Sequence, residues 1–122
     1  DTAEVTLAGM DPVALYERFA PRVRHLQFKD TRVRDEAGEY RLPNAEYAMM
    51  MSGGARRIER WFWEMGTEGG LVDFPALHRS LVARGFDGWV VVECEQTPEP
   101  SSSTMLNGWY LQHVLARQAA AA

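Results

Sequence analysis

Acidic, amide, imidazole and ammonium side chains gather at the ends of two short apolar runs. The first run is Val23-Arg24-His25-Leu26-Gln27-Phe28-Lys29, followed by Asp30; the second is Trp89-Val90-Val91-Val92-Glu93, followed by Cys94 and Glu95. Side chains alternate faces along a strand. One face of the first run therefore carries Val23, His25, Gln27 and Lys29, and the other Arg24, Leu26 and Phe28. One face of the second carries Trp89, Val91, Glu93 and Glu95, and the other Val90, Val92 and Cys94. Each run thus has a mainly apolar face suited to lie under helices, and an opposite face that turns polar toward its C-terminal end. Oxygen and nitrogen donors of this kind suit a hard or borderline divalent cation, and carboxylates can also carry protons in acid–base catalysis. The same pattern equally describes strands that run out into solvent.

Other reactive side chains read as structural. Cys94 shares the apolar face and reads as a small core residue rather than a nucleophile. His78 and His113 fall in helical runs, and Trp61 and Trp63 read as packing groups. Glu95 shares the face of Glu93 but reads as a solvated loop residue.

The elements that must position these groups are partly visible. Asp11-Pro12 starts a helix over 11–20, with Val13, Tyr16 and Phe19 at helical spacing and Pro21 as its stop. Asn44 is placed to cap a short helix through Met49-Met50-Met51, which Ser52-Gly53-Gly54 would break. Residues 61–65 read as a short extended piece ahead of Gly66, Gly69 and Gly70. Asp73-Phe74-Pro75 opens a second helix with Phe74, Leu77 and Leu81 as its buried stripe and Gly85 at its end. Trp89–Glu93 is the strongest strand signal, because β-branched residues follow a glycine. Thr97–Thr104 reads as a loop, and Leu106, Tyr110 and Val114 mark a last helix with an alanine tail that should fray. Helices and strands alternate, as in a parallel α/β sheet. In such folds sites form at the C-terminal ends of the strands.

Composition narrows the function classes. The 122 residues carry 17 acidic against 13 basic side chains, a net charge of −4, which does not favour nucleic acid or an anionic membrane as partner. Apolar residues make up 46% and charged residues 25%, as in an ordinary globular domain rather than a disordered chain. The single cysteine excludes an internal disulfide. No run of about 18 apolar residues and no basic signal-peptide start is present, so the expectation is a cytoplasmic protein. The chain begins at Asp1 without a methionine, which suggests a piece cut from something longer.

Four segments together resemble the C-terminal part of the xylose-isomerase-like sugar isomerase/epimerase superfamily of (β/α)8 barrels. Asp1-Thr2-Ala3-Glu4 with Gly9-Met10-Asp11-Pro12 is similar to the family's D-x-x-H at the end of strand six and the helix after it. His25-Leu26-Gln27-Phe28-Lys29-Asp30 is similar to the strand-seven motif H-x-[HQ]-x-K-D. Gly66-Thr67-Glu68-Gly69-Gly70-Leu71-Val72-Asp73-Phe74 resembles G-x-G-x-[VI]-D-[FW]. Gly85-Phe86-Asp87-Gly88-Trp89-Val90-Val91-Val92-Glu93 resembles G-[YF]-x-G-W-x-x-[VI]-E of strand eight. Each motif alone is weak; four in order and at the right spacing are specific, and they cover nearly all the chain outside 32–60.

The resemblance implies an α/β fold in which 1–122 forms the partial barrel domain from the end of strand six to the final helix. It implies a divalent metal, manganese, magnesium or cobalt before zinc, with Asp1, Gln27 and Glu93 as three of its ligands and a fourth from a strand preceding residue 1. Glu93 would also be catalytic, and Glu4, His25, Lys29 and Arg32 would bind substrate. Glu4 stands where the family carries a substrate-contacting histidine. The implied function is a sugar or polyol isomerase, epimerase or dehydratase acting on a ketose or keto-inositol through an enediolate-type intermediate. A closed barrel needs about 200–250 residues, so the partners implied are an N-terminal half-barrel or a homo-oligomer. The alternative is a non-catalytic partial-barrel subunit or binding module. An abasic-site endonuclease shares the barrel, but three histidines and an acidic balance do not suit a multi-histidine zinc site on DNA.

Overall fold

Capping chemistry places the helices where the sequence puts them. A computed structural model describes residues 1–36 and 60–120. The short helix expected at 44–51 and its glycine break lie outside the described residues. Asp11 accepts the Val13 N–H, and α2 follows over Pro12–Phe19. A short 3-10 turn, Ala20–Arg22, leads into β1, His25–Phe28. Asp73 accepts the Ala76 N–H to start α3, Phe74–Ala83, which buries Phe74, Leu77 and Leu81. Strand β4, Trp89–Val92, returns parallel to β1, with His25 opposite Trp89 and Gln27 opposite Val91. In between, β2 (Asp30–Thr31) pairs antiparallel with β3 (Phe62–Trp63), the extended piece expected over 61–65.

Two expectations change at the ends of the chain. Residues Thr2–Leu7 form a helix, α1, capped by the Asp1 carboxylate on the Glu4 N–H. The run Thr97–Thr104 is only partly a loop, because α4 starts at Pro100 and runs to Tyr110. Proline at the first helical position loses nothing there, and the Thr104 hydroxyl bonds back to the Pro100 carbonyl. Beyond Tyr110 the helix widens into a π segment, Leu111–Leu115, before Ala116–Ala120. The buried positions of α4 are Ser103 and Asn107, while Leu106 is exposed, and in the π segment Leu115 is buried.

The main core joins Tyr16 of α2, Ala20 of the 3-10 turn, Leu26 and Phe28 of β1, Phe74, Leu77 and Leu81 of α3, and Leu115. A second cluster lies around Ala3, Leu7, Trp61 and Phe62. Cys94, which alternation assigns to the side of Val92, packs against that second cluster instead, because the strand has already ended at Val92. Strand β4 is only half covered: Trp89 is 76% exposed, and Val90 and Val91 also reach solvent. Val90, read as lying under helices, is thus not buried, since among the described residues β4 pairs only with β1.

Candidate cation and substrate site

Asp30 organises the loop beneath the strand ends. Its carboxylate is buried and accepts the N–H groups of Thr31 (2.8 Å), Leu71 (3.1 Å) and Val72 (3.1 Å). Burial pushes this carboxyl above its ordinary value, against the pull of those three donors. A side chain at Gly70 would collide with Asp30 Oδ2, and Gly66, at φ 73°, lies against the Tyr110 ring. The glycine-rich segment is therefore shaped by contact with the strand end that precedes it.

Thr2 ties α1 to the same strand. Its hydroxyl donates to the carbonyls of Lys29 (2.6 Å) and Gln27 (3.2 Å), and accepts the Lys29 N–H at 3.0 Å. This fixes the Lys29 backbone just past β1 and sets Asp1 beside it. The Glu93 N–H reaches the Phe28 carbonyl at 3.2 Å, so β4 stays in register with β1 one residue beyond its formal end.

Lys29 is at the centre of what results. It is the only lysine in the sequence, and its side chain is 3% exposed. Its ammonium nitrogen lies 2.9 Å from Asp1 Oδ2, 2.8 Å from Glu95 Oε1 and 3.6 Å from Glu93 Oε2. It also stands 4.1 Å from the centre of the Phe62 ring, in cation–π range. Asp1 and Glu93 thus converge on one cation position. Gln27 shares the face of Lys29 one alternation earlier on β1, level with Val91. Two carboxylates and a carboxamide are hard oxygen donors that fit a divalent cation. Among the described residues, no three histidine, cysteine, aspartate or glutamate side chains are arranged to hold a metal ion.

The remaining residues singled out by sequence are more dispersed. Glu4 lies in the first turn of α1, its N–H on the Asp1 carboxylate. His25 is at the opposite end of β1 from Lys29, level with the exposed Trp89, and lines a groove of about 360 Å³ with Asp1, Tyr16 and Leu26. The Arg32 guanidinium lies 3.5 Å from the centre of the Trp63 ring, and that of Arg60 lies 4.0 Å from it. The Asp30 carboxylate is taken up by backbone N–H groups rather than by the Lys29 ammonium.

Glu95, read from sequence as a solvated loop residue, pairs with Lys29 at 2.8 Å, and Thr2 was not singled out at all. Glu95 shares the face of Glu93 by alternation, and that parity was the available signal. Thr2 had none, since its role depends on a contact between residues far apart in the chain. Beside this cluster, Glu64 is buried and takes two hydrogen bonds of 2.9 Å from Arg60, with the Cys94 thiol 3.8 Å away. Burial pushes the Glu64 carboxyl up, but hydrogen bonds from its own backbone N–H, Ser103, Thr97 and Arg60 outweigh it and leave it below its ordinary value. Burial raises the Cys94 thiol, which suits an inert side chain rather than a nucleophile.

A family model for the xylose isomerase-like TIM barrel matches residues 1–110. The chain is 29% identical to an inosose dehydratase of Lacticaseibacillus casei over 80% of its own length and 30% of that protein. It is 28% identical to an inosose dehydratase of Geobacillus thermodenitrificans over the same shares. Over its whole length it is 36% identical to the rhizopine catabolism protein MocC of Rhizobium meliloti, covering 34% of that protein. The chain thus spans about a third of the length of these relatives. No solved structure matches it significantly.

Proposed function

Since the chain belongs to the xylose isomerase-like TIM barrel family, we propose that it is the part of a sugar- or polyol-modifying enzyme that supplies a divalent-cation site and a proton-transfer carboxylate. The relatives named inosose dehydratase favour a keto-polyol as substrate and loss of water as the reaction. The observation that carries the reading is the convergence of Asp1 and Glu93 on one cation position. Asp1, Gln27 and Glu93 would hold the cation, manganese, magnesium or cobalt, with a further ligand from a strand outside 1–122. The cation supplies Lewis-acid polarisation of a substrate carbonyl.

The chain's own residues do the rest. Glu93 accepts the proton on the carbon next to the carbonyl, and the electrons of that C–H bond form the new double bond. The hydroxyl on the next carbon leaves as water with the proton that Glu93 has taken up, which returns Glu93 to its carboxylate. In this reading Arg32 and Glu4 contact substrate oxygens, with His25 as a further binding group, and Lys29, buried among carboxylates, balances their charge. Thr2 and Asp30 hold the backbone beneath them and take no part in the chemistry.

The test is metal analysis and keto-inositol turnover in the protein at its natural length, with Glu93→Ala and Gln27→Ala. Loss of bound manganese and a fall in kcat of at least about a hundredfold in Glu93→Ala are expected. Unchanged metal content in both variants would remove the assignment. A second reading is a non-catalytic module that needs a partner chain, and it rests on the open face of β4 at Trp89. It predicts metal-independent association with that partner and no turnover.

A further inference from the structure

Twelve of the thirteen basic residues in the chain are arginine, and the one lysine is buried among carboxylates. An ammonium is a compact point charge on a flexible stem, whereas a guanidinium is a wide planar fork. Lys29 therefore fills a cation-sized position between Asp1 and Glu93 that an arginine would overfill. Its backbone is pinned on both sides by the Thr2 hydroxyl, so only the side chain is free to move.

We propose that Lys29 is an internal counter-ion of the cation site. Its ammonium bridges Asp1 and Glu93 in the cation-free protein, and it withdraws to Glu95 and the Phe62 ring when a divalent cation enters. Glu95 is then a positioning residue that acts through Lys29. The inference rests on the cation reading given above and adds to it the identity of the group that must move.

Three features support it. The Lys29 ammonium alone is paired with three carboxylates, so two of them are left without a side-chain cation of their own when it keeps one. A buried ammonium without a partner is costly, so exchange is feasible only if a second partner is already within reach. Glu95 Oε1 at 2.8 Å and the Phe62 face at 4.1 Å are such partners, and neither belongs to the proposed ligand set. An ammonium carries three donor hydrogens, enough to keep Glu95 while it releases the other two carboxylates.

The experiment is a Mn2+ titration followed by electron paramagnetic resonance on the protein at its natural length, as wild type, Lys29→Met, Glu95→Gln, the double variant and Glu93→Ala. Removing the competing charge should tighten Mn2+ binding about tenfold in Lys29→Met. Glu95→Gln should weaken binding about tenfold when Lys29 is present, and by less than about twofold in the Lys29→Met background, because coupled groups do not act additively. Binding in Lys29→Met where the wild type shows none would support the proposal in its strongest form. Unchanged or weaker binding in Lys29→Met overturns it. So does an equal loss from Glu95→Gln in both backgrounds, which would make Glu95 a direct ligand. If Lys29→Met does not fold by circular dichroism, an unchanged affinity in Glu95→Gln alone overturns it. The cation reading fails separately if neither the wild type nor any variant binds Mn2+. It survives if Glu93→Ala removes binding that Lys29→Met leaves unaltered.

Discussion

A carboxylate's surroundings, more than its presence, decide what it does here, and the three best-defined acidic groups differ accordingly. Asp30 turns inward to backbone N–H groups, Glu64 is claimed by Arg60, and Glu93 stays at the strand end beside Lys29. Glu64 gives a pH test. Its folded value lies below the ordinary 4.5, so its contribution to stability is complete above that pH and is lost as the pH falls through the folded value. Glu64→Gln should therefore melt lower than the wild type at pH 7, by about 1–2 kcal/mol. The gap should close below pH 4.5, as read by thermal unfolding across pH. A gap that widens on acidification would contradict the direction assigned to Glu64. At this scale the sequence was informative where alternation governs. Gln27, Lys29 and Glu93 share one face because β1 and β4 pair in the register that alternation needs. Alternation lost its hold past Glu93, where Cys94 turns to the second cluster.

Elements whose ends carry their own signal were legible. Asp11-Pro12 and Asp73-Phe74-Pro75 cap their helices through local hydrogen bonds that the sequence displays directly. Pro100-Ser101-Ser102-Ser103 misled because the same residues serve a loop or a helical first turn. Only distant contacts choose between them, such as the Asn107 side chain accepting the Met65 N–H. Two substitutions test how the elements are joined. Thr2→Val should leave the Lys29 N–H and carbonyl without their buried partner and cost about 1–3 kcal/mol. The urea midpoint should fall with no change in slope. Gly70→Ala should cost about 1–3 kcal/mol through the clash with Asp30 Oδ2. An unaltered midpoint for either variant would mean that α1 or the glycine loop is held by something other than these contacts.

Across the whole molecule, the order of helices and strands identified a barrel segment, but nothing local could say what lies against its edges. Trp89 and Glu93 direct their N–H groups to β1, so alternation turns those of Val90 and Val92 to the other edge. Hydrogen exchange should find Val90 and Val92 amides fast in the 122-residue chain. They should be slowed at least about a hundredfold where further strands complete the barrel. Equal protection in the two settings would show that the edge is closed by other means. The widened turn at Leu111–Leu115 bears on the same architecture. It amounts to one extra residue in the helix, which in a regular turn would rotate everything after it by about 100°. The widened turn absorbs that residue and leaves Leu111, Val114 and Leu115 all facing the main core, so a one-residue deletion would be borne best at Gln112 or His113, which take no part in that packing.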